Sequence, residues 1–391
     1  MLERIVATTD VHSTFDHSLP MLTYLHTARE RALVVDCGDF FEGSGYYRLG
    51  GGHLERRVLI LLYDVIAPGN HGWRHHFEPD LRALTVCANV VDVGTGEPLF
   101  LPVRIVGIGG RRVGVTAVLG EQAFNAIPGA ERAEHDVLPP ERTLHELRER
   151  YRELVDDWIV LSHSGFEHDL ALAATCPFIS VVLSGHCHSE QYGPVRVGDT
   201  LVIKGCELGA GYAEAAPDGR DWSAHARTFP EAAVVAEPVA RLYTQLQALR
   251  DRLAHSLGPL AEPFCETLLD RRELLTLVAQ RLHTDAKAVI LNETCLRALY
   301  LGDVLREEDL LTIEPFTNQL VYAAWSDTCT LEALSDQAGP LVVVGDPGKS
   351  GHAITTQYLA DTYLDGRWRG PQLPLARVVQ AILTGQSGDA P

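Results

Sequence analysis

The sequence predicts an α/β protein of more than one domain, and three observations carry that reading. Short apolar runs alternate with helical signals through residues 1–215, as strands buried on both faces and joined by helices do. Residue types able to ligate metal recur directly after those runs. The chain has 391 residues, against roughly 150 for an ordinary domain, so two to three domains are expected. With 46% apolar and 22% charged residues, the composition is that of a globular protein and excludes disordered and fibrous classes.

Residues 4–9 read as a short apolar strand, followed by a helix over 19–31. Ala32-Leu33-Val34-Val35-Asp36 is a continuous apolar run, the mark of a doubly buried strand. A helix over 54–63 and a short strand over 64–67 follow. Segments 101–108 and 112–119 flank Gly109-Gly110 and predict a hairpin. Residues 141–156 predict a charged amphipathic helix. Two buried strands, 158–161 and 179–183, enclose a helix over 169–174. Segments 195–197 and 201–203 predict a closing hairpin around Gly198-Asp199. Residues 216–230 have loop composition, and 239–257 predict a helix bridging two domains. Beyond lie helices at 272–282 and 307–311 and strands at 288–291 and 319–324, while 348–351 and the tail from Gly385 read as mobile. No internal repeat is visible.

Acids outnumber bases 52 to 33, a net charge of −19. That argues against non-specific binding to nucleic acid or to an anionic membrane, since both need a basic face. A phosphorylated small molecule remains an admissible partner if a metal supplies the cation. Lysine occurs three times, at 204, 287 and 349, a bias read as base composition. No run of about 18 apolar residues occurs, so no spanning helix is expected. The N-terminus carries no apolar stretch of signal-peptide length. Eight scattered cysteines without a Cys-x-x-Cys pair read as free thiols in a reducing compartment, with the cytoplasm as the expected location.

The residues after the strands carry the chemistry. Asp10-Val11-His12 follows the first, Gly38-Asp39 the second and Gly69-Asn70-His71 the third. His163 and Gly185-His186-Cys187-His188 follow the two later ones. Strand carboxyl ends line the crevice in which open α/β sheets bind ligands. Carboxylate with imidazole suits borderline divalent ions such as Zn²⁺, Mn²⁺ or Fe²⁺. A shared aspartate can hold two ions about 3.5–4 Å apart, the spacing that clamps a displacement at phosphorus. Residues i and i+2 of an extended segment share a face, so Asp10 with His12, and His186 with His188, can each converge on one pocket.

Taken together, Asp10-x-His12, Gly38-Asp39, Gly69-Asn70-His71, His163 and Gly185-His186-x-His188 resemble the calcineurin-like metallophosphoesterase pattern over residues 1–210. The resemblance implies a four-layer αββα sandwich with a smaller α+β C-terminal substrate domain. It assigns Asp10, His12, Asp39 and His188 to one metal ion and Asp39, Asn70, His163 and His186 to a second, with Asp39 bridging. It makes His71 the residue that stabilises the transition state or helps the leaving oxygen.

In the second half, residues 292–297 (Asn-Glu-Thr-Cys-Leu-Arg) resemble an Asn-(x4)-Arg element of the 5′-nucleotidase C-terminal domain. Glu314-Pro315-Phe316-Thr317-Asn318 resembles its Pro-Phe-Gly-Asn element. The likeness would place Asn292 and Arg297 at the sugar or phosphate side of a substrate and Phe316 against the base, with Asn318 a further substrate-binding candidate; Arg272 is a looser match. The residues alone also allow Phe316 as core and Arg297 as a solvated helix arginine. The implied organisation is a catalytic domain over 1–220, a linker and bridging helix over 221–257, and a shortened substrate domain over 258–391.

The pattern departs in one place. Relatives usually carry an acid three positions after the active-site histidine, where this chain has Arg74. An adjacent cation would lower the His71 pKa, or Arg74 would itself contact a substrate anion. His75 and His76 read as solvated loop histidines, with substrate contact as the alternative. The leading expectation is hydrolysis of a nucleoside 5′-monophosphate by a metal-bridging hydroxide. A diester, cyclic nucleotide, pyrophosphate or phosphorylated biosynthetic intermediate is the alternative substrate, and a binding protein without turnover is the third reading.

Overall fold

The computed structural model describes all residues except 232–233, 284–285, 326–329, 349–350, 365 and 387–391, and not the side chains of 371–372. Cys329, the centre of the 348–351 segment and the end of the tail therefore lie outside the described residues. The chain divides into two compact units, Met1–Arg250 and Asp251–Pro391.

The first unit is built on two sheets. One has five strands in the order Asp221–Thr228, Gly211–Asp218, Arg4–Thr8, Ala32–Asp36, Val65–Ile66. Arg4–Thr8 runs parallel to Ala32–Asp36, with Thr8 opposite Asp36, so both strands release their loops at the same edge. The other has six, in the order Val195–Val197, Thr200–Lys204, Ile179–Ser184, Asp157–His163, Arg111–Leu119, Arg104–Ile108.

Alternation explains the layering. Ile5, Ala7, Leu33 and Val35 face inward and meet Val113, Val115, Ile159, Leu161, Val181 and Leu183 of the other sheet. The residues between them point outward. Val118, Val160, Val182 and Val202 pack on Leu144, Phe166 and Leu172 of helices Pro140–Tyr151 and Phe166–Thr175. Helices Ser18–Ala28 and His53–Leu62 pack together, the former also against Ala32–Asp36. The result is the four-layer αββα sandwich. Each fully buried aliphatic side chain contributes about 1.5–3 kcal/mol, which is why the strands read as unbroken apolar runs.

Three sequence expectations need correction. The loop expected over 216–230 is largely a hairpin of Gly211–Asp218 and Asp221–Thr228, paired from Gly211 opposite Thr228 to Asp218 opposite Asp221. Apart from Trp222, its inward residues are small (Ala213, Ala215, Ala224), so the alternation is faint. The helix expected over 239–257 is Glu237–Leu253, and Ser256–Pro259 instead forms a strand pairing with Val304–Arg306. The helix expected to reach 156 stops at Tyr151.

The second unit is α+β. Its five-stranded sheet runs Leu341–Gly345, Ala288–Asn292, Gly351–Thr356, Gln319–Trp325, Trp368–Pro374. Helices Arg271–Leu282 and Leu375–Leu383 cover one face and Leu331–Ala338 and Gln357–Tyr363 the other. Among the described residues, no helix is long and apolar enough to cross a membrane.

Candidate metal centre

Five strand ends of the first unit deliver the predicted ligands to one place. Asp10 and His12 leave Arg4–Thr8, Asp39 leaves Ala32–Asp36, and Asn70 and His71 leave Val65–Ile66. His163 ends its own strand, and His186 and His188 leave Ile179–Ser184. The backbone bends sharply to do this. Asp10, His12, Asp39 and His186 all adopt positive φ, at 49°, 50°, 56° and 76°. Such strain costs about 1–3 kcal/mol per residue and gathers at functional sites. The motif glycines have a steric reason. A Cβ on Gly69 would collide with Asp39 Oδ1, and one on Gly38, whose φ is +102°, would lie 2.5 Å from His163 Nδ1.

The ligand atoms converge. Those of Asp10, His12 and His188 lie within 4.8 Å of one another, as do those of Asp39, His163 and His186 and those of His12, Asp39 and His71. Asn70 Oδ1 is 3.3 Å from His163 Nε2, which is also 3.3 Å from Asp39 Oδ2. All seven predicted ligand positions therefore meet, with Asp39 in two of the groups. Backbone bonds lock the carboxylates: His71 N donates to Asp39 Oδ1 at 2.8 Å and His186 N to Asp10 Oδ2 at 3.1 Å. His163 Nδ1 lies 2.9 Å from the Cys37 carbonyl, an acceptor only, so Nε2 is the nitrogen left to coordinate.

The donor set fits divalent cations. His12 is buried, yet neither ring nitrogen has a hydrogen-bond partner; Nε2 lies 3.9 Å from Asp10 Oδ1 and 3.8 Å from Asp39 Oδ2. Leaving a buried polar group unmet costs about 1–3 kcal/mol, and an ion would meet it. Imidazole, carboxylate and carboxamide are the donors that borderline cations accept.

Electrostatics follow the packing. Burial lowers the His12 pKa against the pull of Asp39 and Asp10. Burial alone would raise Asp39, but His163 beside it holds the carboxyl well below its ordinary range. Burial would lower His163, but Asp39 lifts it to about 9. Burial and His163 push His186 down to about 4.

Two residues outside the motifs complete the surroundings. Lys204, fully buried, donates through Nζ to the carbonyls of Cys187 and Ser189 at 2.7 and 2.6 Å and pairs with Glu207. It braces the loop that carries His186 and His188. Its signal in the sequence was a lone lysine at the end of an apolar strand. Glu42 Oε2 lies 3.0 Å from His71 Nδ1.

That contact revises the expectation for Arg74. The His71 pKa is raised, chiefly by its hydrogen bond to Glu42, where a neighbouring cation was expected to lower it. Arg74 instead donates to the Tyr47 hydroxyl at 3.1 Å. His75 and His76 are likewise not solvated loop residues. They sit in the turn Trp73–Phe77, 7% and 4% exposed. His75 stacks on Phe41 at 4.4 Å and bonds to Tyr47 and Glu78, and His76 bonds to Thr85 Oγ1 at 3.1 Å.

The candidate substrate residues of the second unit are placed differently. Asn318 is buried and its amide donates to Glu314 Oε1 at 2.9 Å, so its side chain shapes the turn and does not face outward to a base. Arg272 pairs with Glu293. Arg297 is exposed, follows the short turn Glu293–Cys295, and lies over the Phe316 ring at 5.0 Å. Phe316 is 48% exposed and is not a core residue. Asn292 donates to Thr294 Oγ1 at 2.6 Å and keeps a buried Oδ1 without a partner.

No family model matches the sequence. An apyrase of Tabanus yao is 30% identical over an alignment of 173 residues that covers 41% of this chain and 30% of the relative. A 5′-nucleotidase of Rattus norvegicus is 29% identical over 180 residues, again 41% and 30%. The match thus spans about three tenths of the length of these curated relatives. In fold, the solved 5′-nucleotidase from Candida albicans SC5314 aligns over 99% of both chains with a TM-score of 0.67 at 13% identity. Over about two fifths of its length the chain is thus similar in sequence to 5′-nucleotidases, and the fold it shares with a solved 5′-nucleotidase extends over the whole chain.

Proposed function

We propose that the chain is a phosphomonoesterase that hydrolyses a nucleoside 5′-monophosphate or a close relative to the nucleoside and phosphate. The observation that carries this is the chain of three ligand groups, in which His12 links Asp10 and His188 to Asp39, and Asp39 links His12 to His163 and His186. The family implies divalent metals, and the chain offers candidate ligand groups for them. Our reading is that there are two ions: one at Asp10, His12, Asp39 and His188, the other at Asp39, Asn70, His163 and His186. Zinc, manganese and iron suit the donors. Bound there, divalent ions would acidify water and neutralise phosphoryl charge.

The protein residues do the rest. Asp39 holds the two groups in one geometry, and His71 reaches the substrate from the rim of the cluster. In the second unit, exposed Phe316 offers a ring face to a base. Arg297 offers a guanidinium fork to sugar or phosphate oxygens, and Asn292 keeps an acceptor. The relatives' names point the same way, to nucleotide phosphate bonds.

The test is phosphate release by chelator-stripped chain reloaded with zinc, manganese or iron, across nucleoside mono- and diphosphates and a diester. Metal-dependent release from monophosphates is expected. Faster hydrolysis of the diester, or none of any nucleotide with metal bound, would overturn the substrate assignment. We also propose a cytoplasmic, reducing setting, which suits the seven described cysteines, all free. Recovery of the chain outside the cell with oxidised cysteines would contradict it.

A further inference from the structure

His71 must present a particular ring nitrogen to a substrate, and an imidazole fixes its proton only through what its other nitrogen meets. The residue three positions on is no help, because Arg74 is a cation and is turned to Tyr47. The acid comes from a different strand end. Glu42 leaves Ala32–Asp36 on the loop that carries Asp39, 29 residues before His71, and its Oε2 lies 3.0 Å from His71 Nδ1. An ionised carboxylate can only accept, so Nδ1 carries the proton in that bond. Glu42 is held in place at a cost: its φ is +64°, a conformation that disfavours any side chain with a Cβ. The His71 ring sits edge-on to His12, 5.0 Å between centroids, and the His71 backbone N–H donates to Asp39 Oδ1. Glu42, Asp39, His12 and His163 are the titratable groups that act on it.

We propose that Glu42 is a positioning residue: by accepting the Nδ1 proton it fixes the tautomer and tilt of His71, so that Nε2 is the nitrogen offered to the substrate. This rests on the phosphomonoesterase reading for its consequence, though not for its geometry. Replacing Glu42 by Ala should lower kcat about 10- to 100-fold, as loss of an outer orienting partner does. KM should stay within about threefold, and Glu42→Gln, which keeps an acceptor, should recover part of the loss. In a His71→Ala background, Glu42→Ala should add nothing, because its effect passes through that ring.

Independently of turnover, ¹⁵N-histidine NMR of the full chain should show His71 with Nδ1 protonated, and Glu42→Ala should change that signal. An unchanged His71 signal, or equal losses from Glu42→Ala with and without His71, would overturn the proposal. If the wild-type chain turned over no nucleotide, the substrate reading would fall, while the imidazole signal would still decide the pair.

Discussion

His12 in the first unit and Asn318 in the second are equally buried, each 8% exposed, yet their polar atoms fare oppositely. Neither nitrogen of His12 has a hydrogen-bond partner, whereas Asn318 is bonded through backbone and side chain to Glu314. At His12 the unmet nitrogens sit among the candidate metal ligands, so an ion from outside would satisfy them, whereas the chain itself satisfies Asn318. Of the second unit's candidate substrate residues, the half-exposed Phe316, exposed Arg297 and the Oδ1 of Asn292, which has no hydrogen-bond partner, remain available to a ligand.

The most damaging change to the first side of this comparison should be Gly69→Ala, because the new Cβ collides with Asp39 Oδ1. A displacement of about 1 Å costs on the order of 100-fold in rate, so kcat/KM for a nucleotide should fall at least that far. A fall under about threefold would show that Asp39 has room to move. Next comes Lys204→Met, which keeps the apolar stem and removes the brace on the His186–His188 loop. Metal affinity, measured by chelator competition, should drop about 10- to 100-fold. Unchanged affinity would make Lys204 a structural lysine only.

The second unit separates architecture from contact. Asn318→Ala should cost about 1–2 kcal/mol in denaturant unfolding and leave kcat alone. Phe316→Ala should leave stability within about 0.5 kcal/mol and raise the KM for a nucleotide about tenfold, the scale of a lost stacking partner. The reverse pattern would exchange the two roles.

The smallest effect concerns Asp169, a buried group of the first unit that does have partners, Ser162 and Ser184. Burial pushes its carboxyl up to about 7, above the ordinary value near 3.9. The folded state therefore binds a proton that the unfolded chain has released. Its contribution to stability is complete below roughly pH 4 and is lost as pH rises to about 7. Asp169→Asn should flatten the fall in Tm across that window, and parallel Tm curves for the two proteins would contradict it.

Legibility followed locality. Ala32–Asp36 and Ile179–Ser184 were readable because both faces of each strand are covered, which makes the run apolar throughout. The candidate metal ligands were readable because each lies within a few residues of such a strand end. The Gly211–Thr228 hairpin was not, because its inward alanines give little contrast and Pro217 and Gly219 suggest a loop. Glu42 escaped for another reason: its partner lies 29 residues away on a neighbouring loop, and no spacing rule joins them. The burial of His75 and His76 depends on Phe41 and Thr85, which only the assembled sheet edge brings near.

Metal stoichiometry tests the central claim most directly. The purified chain, dialysed against zinc or manganese and analysed for metal per chain beside Asp39→Ala, should hold two ions, with Asp39→Ala holding one or none. A wild-type chain that retains no ion, or an Asp39→Ala variant that still retains two, would contradict a shared aspartate at the meeting of five strand ends.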